Sequence, residues 1–168
     1  MALFRRLPLP EQALGRLYLH SMPGRYEPLE QSWVEVTQLR ISQIVCLASG
    51  SEVGVKSPDY AAAIAEGKLP CDFRQYPIPD YQGPADLEGF WLLARETADV
   101  LRRGEGVLVH CGAGIGRTGT FAIAVLLALG VPAEEAERMA RTAGSSPETR
   151  SQREALRGIL NCYPPAIR

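Results

Sequence analysis

Two hydrophobic rhythms alternate along the chain. Arg16-Leu-Tyr-Leu-His20 changes sides at every residue, as a strand does, and then meets the turn formers Ser21-Met-Pro-Gly24. Leu29 to Arg40 switches to helical spacing, with apolar Trp33, Val36 and Leu39. Ile41 to Ala48 contains the unbroken apolar run Ile44-Val-Cys-Leu47 and predicts a buried strand, with Cys46 as a small core residue. An Ala-rich helix over about Asp59 to Glu66 follows Pro58, and Cys71 to Ile78 reads as a further strand ended by Pro77 and Pro79. Pro84 to Arg103 is the best helix, with Leu87, Phe90, Trp91, Ala94, Ala98 and Leu101 on one face. Gly104-Glu-Gly106 breaks it. Val107-Leu-Val-His110 is then a short buried strand, Thr118 to Leu129 an apolar helix, and Pro132 to Arg141 and Glu148 to Leu160 two more helices. Strands alternating with helices, without repeats or low-complexity linkers, predict a single α/β domain over residues 1–168, its central, mostly parallel sheet flanked by helices.

Composition narrows the partners. The net charge is −1, from 18 basic and 19 acidic residues, which argues against nucleic acid or an anionic membrane as the main partner. The longest apolar run, Thr120 to Val131, is too short for a bilayer, and Met1 to Pro10 has prolines where a signal peptide needs an apolar stretch. The four cysteines, Cys46, Cys71, Cys111 and Cys162, form no C-x-x-C or C-x-x-H pair, so no zinc site is expected. The expectation is a reduced cytoplasmic protein.

Chemistry concentrates in Val109-His-Cys-Gly-Ala-Gly-Ile-Gly-Arg-Thr-Gly-Thr120, where a buried strand enters a glycine-rich loop and then a helix. Such a loop can turn successive N–H groups toward one anion, and the helix adds its positive end. Gly114-Ile-Gly-Arg-Thr-Gly119 matches the dinucleotide pattern G-x-G-x-x-G, but Glu134, Glu135 and Glu137 fall in a helix rather than ending a second strand. The triphosphate pattern G-x-x-x-x-G-K-[ST] fails as well, because Cys111 and Arg117 stand where its first glycine and its lysine belong. A third reading uses every position. Cys111 lies at the focus of the amides and the helix end, which favour thiolate over thiol, and Arg117 can clamp phosphoryl oxygens with its planar fork.

His110-Cys-Gly-Ala-Gly-Ile-Gly-Arg-Thr118 resembles the H-C-x-x-G-x-x-R-[ST] signature of protein tyrosine and dual-specificity phosphatases, and the chain's size resembles their compact dual-specificity group. The resemblance covers about Leu17 to Leu160. It implies Cys111 as nucleophile and Arg117 as phosphoryl clamp, with Gly112, Ala113, Gly114, Ile115 and Gly116 forming the cradle. It also implies Thr118 as hydrogen-bond donor to the sulfur (a helix N-cap being the simpler role) and His110 as a residue ordering the loop. No cofactor or metal is implied.

Asp80, in Tyr76-Pro-Ile-Pro-Asp-Tyr-Gln-Gly-Pro84, sits in a loop after a strand, where a parallel sheet brings it beside Cys111. The segment resembles the I-P-D acid loop of the same group, which implies Asp80 as general acid and then base. Asp86 is its rival, at a helix start where Asp is expected anyway. Gly144 to Gln152 resembles the segment that positions water in some relatives; Glu148 takes that place, with Thr149 and Gln152 in keeping, and a helix-start glutamate as the plainer reading. Arg25 is a candidate substrate contact. The loop lacks the lysines common in phosphoinositide phosphatases, and the chain lacks a Tyr-bearing pocket-deepening loop. A shallow site for phosphotyrosine and phosphoserine or phosphothreonine of proteins or peptides is therefore expected. A non-catalytic phosphoresidue-binding module, an enzyme for a non-protein phosphate ester, and a sulfurtransferase or arsenate reductase remain the alternatives.

Overall fold

The computed structural model describes residues 2–164; Met1 and residues 165–168 of the expected span lie outside them. The strands are β1 (Arg5–Leu7), β2 (Arg16–His20), β3 (Ile41–Cys46), β4 (Asp72–Gln75) and β5 (Gly106–His110). The helices are α1 (Leu29–Gln38), α2 (Gly50–Lys56), α3 (Pro58–Ala65), α4 (Leu87–Arg102), α5 (Gly116–Ala128), α6 (Ala133–Thr142) and α7 (Arg150–Cys162). The sheet order is β1-β2-β5-β3-β4, parallel except for β1, which pairs antiparallel with β2. This is the expected α/β architecture.

Period-two alternation divides the core between the two sheet faces. Leu17, Leu19, Val45, Val107 and Val109 pack with residues of α4, α5 and α7, among them Phe90, Ala94, Phe121 and Ile159. Their neighbours Tyr18, Ile44 and Leu108 turn the other way, toward Val36 of α1. Helix α5 is buried on almost every side, so it is apolar all round rather than striped. Cys46 lies in the core, where burial pushes its thiol up to about 12.

Two elements have no strong sequence signal. Strand β1 has only three residues, too few for a period. Helix α2 buries only Val53 and owes its start to Ser49, whose side chain accepts the Glu52 N–H at 3.2 Å. The strand predicted over Cys71 to Ile78 contracts to β4, because the prolines beyond Gln75 have no N–H for a ladder. The chain stays tethered nonetheless: Tyr76 N–H donates to the Cys46 carbonyl at 2.9 Å and Ile78 N–H to that of Leu47 at 3.0 Å. The segments after β2, β3, β4 and β5 thereby gather at the carboxyl ends of the parallel strands, where open α/β sheets hold their ligands. No helix among the described residues is long and apolar enough to cross a membrane.

Phe121 is fully buried on α5 and meets the Phe90 ring edge-on, with centroids 5.4 Å apart. Phe121→Ala is expected to lower unfolding free energy by about 3–5 kcal/mol, read from urea midpoints at an unchanged slope.

Candidate active site

Strand β5, central in the sheet, delivers Cys111 to the entrance of a tight loop that closes into α5. The sulfur is nearly buried, with 2% exposure. Thr118 Oγ1 donates to it at 3.1 Å and Gly114 N–H at 3.3 Å. Thr118 is not the helix cap: Ile115 is, without a side-chain bond, and Thr118 spends its hydroxyl on the sulfur from inside the first turn. Gly114 has φ 77° and lies so close to the end of β2 that a β-carbon would collide with the His20 carbonyl. Its own carbonyl accepts from Ser145 Oγ and from Arg5 Nη2, each at 2.6 Å.

His110 is fully buried below this loop. Nδ1 lies 3.0 Å from the Cys111 carbonyl, which can only accept, so Nδ1 carries the proton. Nε2 therefore accepts from the Tyr60 hydroxyl at 2.9 Å. Burial pushes the imidazole down to about 4, which keeps it neutral. The ring thus links Tyr60 of α3 to the first carbonyl of the loop.

Arg117 is 2% exposed. A guanidinium has five N–H groups, and the structure gives most of them protein partners. The terminal fork is taken end-on by Glu52, with Nη1 to Oε1 and Nη2 to Oε2 both 2.8 Å. Nη1 also donates to the Ile78 carbonyl at 2.8 Å, and Nη2 lies 3.1 Å from Asp80 Oδ1. Only Nε is buried with no hydrogen-bond partner among the described residues. On the lateral edge Nε is therefore open, whereas Nη2 beside it is held by Glu52 and Asp80.

Glu52 and Lys56, both on α2, had no place in the sequence reading. Lys56 Nζ is 2.8 Å from Glu52 Oε2 and 3.7 Å from Asp80 Oδ2. It also lies against the loop, 2.7 Å from where a Gly112 β-carbon would stand. Hydrogen bonds from Arg117, with Lys56 assisting and burial opposing, hold the Glu52 carboxyl down at about 2. Spacing offered a faint cue, since Glu52 and Lys56 are an i,i+4 pair, but the cue does not point to Arg117.

Asp80 is half-exposed and in contact with two cations, Arg117 at the end of the Cys111 loop and Lys56. Asp86 is committed elsewhere: it caps α4 by accepting the Gly89 N–H at 3.0 Å. Glu148 precedes α7 rather than starting it, because Thr149 is the cap. Its carboxylate lies over the loop, Oε1 2.5 Å from where a Gly116 β-carbon would stand, and Gln152 fixes it by accepting the Glu148 N–H at 2.7 Å. Ala113 and Ile115 are the exposed members of the loop, whereas Gly112, Gly114 and Gly116 are buried. Arg25 stacks over Tyr26, 4.7 Å from the ring centroid.

The family model described as "PTP-SAK: Swiss Army Knife protein, DSP-PTPase phosphatase domain" matches residues 16–161. Among solved structures, Tk-PTP in its active form is 26% identical, with TM-score 0.73 over 94% of this chain and 97% of that one. Kinase associated phosphatase, with its catalytic-site cysteine changed to serine, is 19% identical at TM-score 0.80 over 98% and 97% of the two chains. PTPMT1 in complex with PI(5)P is 16% identical at TM-score 0.73 over 95% and 96%. No curated protein sequence matches the chain.

A histidine held near 4 when folded and near 6.5 when unfolded binds its proton more tightly in the unfolded chain. Its stabilising effect is complete above about pH 6.5 and is lost as pH falls toward 4, amounting to about 3 kcal/mol in all. Glu52 adds loss only below about pH 4.5. Urea midpoints of the wild type are expected to fall between pH 6.5 and 4.5, and His110→Asn to flatten that slope.

Proposed function

The chain belongs to the Swiss Army Knife DSP-PTPase phosphatase domain family, and on that premise we propose that it hydrolyses phosphotyrosine, and also phosphoserine and phosphothreonine, in proteins through a phosphocysteine on Cys111. One observation carries the reading most. Hydrogen-bond donors converge on the Cys111 sulfur, while the buried Nε of Arg117 has no partner among the described residues. A buried donor left open costs free energy unless a ligand fills it, and a phosphoryl oxygen is the acceptor that suits it.

The ester's phosphoryl group lies in the loop, with oxygens on Arg117 Nε and Nη2 and on the loop amides. Occupying Nη2 releases Asp80 from the guanidinium and leaves its carboxyl facing the departing oxygen. The Cys111 thiolate attacks phosphorus, the P–O ester bond breaks, and protonated Asp80 gives its proton to the departing oxygen, which leaves as the alcohol or phenol. Asp80 then takes a proton from water, which attacks the phosphocysteine and frees inorganic phosphate. Thr118 Oγ1 stabilises the thiolate that leaves, and Glu148, over Gly116, holds the attacking water. Between Cys111 and Arg117 the loop carries only Gly, Ala and Ile, which fits one phosphate better than the several of a phosphoinositide. PTPMT1 binds PI(5)P on the same fold, so lipid turnover is the outcome to compare against.

Aryl phosphate turnover in the presence of chelator is expected, with inhibition by vanadate and complete loss in Cys111→Ser. Asp80→Asn is expected to reduce kcat by roughly 10²–10⁴-fold on poor leaving groups and to remove the basic limb of the pH–rate profile. Phosphopeptides matched in sequence, tested beside phosphoinositide vesicles, decide the substrate class. Turnover of the lipid alone would overturn the protein-phosphatase assignment.

A further inference from the structure

The amino-terminal strand places a second guanidinium behind the loop. Arg5 Nη2 donates to the Gly114 carbonyl at 2.6 Å, and its Nη1 donates to the Ala143 carbonyl at 2.8 Å and to Ser145 Oγ at 3.0 Å. Ser145 Oγ in turn donates a hydrogen bond to the same Gly114 carbonyl. One side chain thus joins β1, the cysteine loop and the turn between α6 and α7. Its mount is firm: Arg5 pairs with Leu19 of β2, and the N–H groups of Leu3 and Phe4 donate to the Glu35 carboxylate of α1.

The orientation matters because the peptides around Gly114 have two sides to present. Gly114 N–H faces the Cys111 sulfur. In the trans peptide that follows, C=O and N–H point in opposite directions, so a carbonyl turned to Arg5 turns the Ile115 N–H away from Arg5. A glycine at φ 77° has no β-carbon to resist rotation of that peptide, and a rotated carbonyl would present oxygen to an incoming anion. Burial draws the Arg5 guanidinium below its ordinary value while the charge on Cys111 draws it up, so cation and sulfur also act on each other through space.

We propose that Arg5 is a positioning residue for oxyanion binding: it fixes the Gly114–Ile115 peptide with its N–H toward the phosphoryl group, and so makes the amino-terminal strand part of the machinery. This rests on the phosphatase reading above.

The test measures vanadate affinity, kcat and KM for an aryl phosphate, and thermal midpoint in Arg5→Ala, Arg5→Lys and Ser145→Ala, with exposed Arg6→Ala as control. Arg5→Ala is expected to stay folded while vanadate affinity and kcat/KM both fall on the order of tenfold to a hundredfold, as for a lost hydrogen bond from a charged donor. Arg5→Lys is expected to recover part of both, Ser145→Ala to lose a smaller share, and Arg6→Ala to match the wild type. A folded Arg5→Ala within twofold of wild type in both readouts overturns the proposal, as does a loss that merely tracks the unfolded fraction. Should Arg5→Ala not fold, unchanged vanadate affinity in folded Arg5→Lys and Ser145→Ala together overturns it equally. A wild type that neither binds vanadate nor releases phosphate sinks the phosphatase reading itself, and this inference with it.

Discussion

A cation taken almost wholly out of water is the constraint around which the rest of the site is arranged. Burying a guanidinium costs several kcal/mol unless its donors are satisfied, and Arg117 meets that demand by drawing two remote segments to itself. Glu52 brings α2, the Ile78 carbonyl brings the loop after β4, and Asp80 follows from the same loop. Glu52 in turn is partly buried and recruits Lys56, which reaches both Asp80 and the loop. The arrangement is a chain of alternating charges whose members each stabilise the next. Among the described residues the buried Arg117 Nε has no hydrogen-bond partner, and it marks where an additional acceptor fits.

The rear of the cysteine loop follows a different rule. There the partners are mostly neutral: Tyr60 and His110 under the strand end, the Ser145 hydroxyl on the Gly114 carbonyl, and the Ser146 N–H on the Ile115 carbonyl at 3.1 Å. A neutral imidazole below the loop adds no charge beneath the sulfur. The front face is thus electrostatic and exchangeable, and the back face is a fixed hydrogen-bonded mould.

Legibility in the sequence follows this division. Cys111, Gly114, Arg117 and Thr118 act within one short loop and the first turn after it, so spacing alone places them around a common point, and the buried parallel strand that holds them is announced by its continuous apolar run. Asp80 was legible because a parallel sheet forces the loops after its strands to one end. Glu52 and Arg5 were not, since they reach the loop across 65 and 109 residues and carry no local pattern. The orientation of Arg117 was also out of reach, because which edge of a guanidinium stays open depends on a partner that the sequence does not locate. Thr118 read equally well as a cap until the structure gave that position to Ile115.

Helix α2 has a consequence for how the protein tires with heat. It spans seven residues, includes glycines at 50 and 54, and buries only Val53, so little apolar surface holds it to the body. Short segments with few buried contacts open locally well below the free energy of global unfolding. The carboxylate that steadies the central guanidinium therefore sits on a helix held mainly by Val53 and by that ion pair itself. Opening of that helix would release Glu52 from Arg117 while the sheet and core stay intact, so the site would loosen at a lower temperature than the fold.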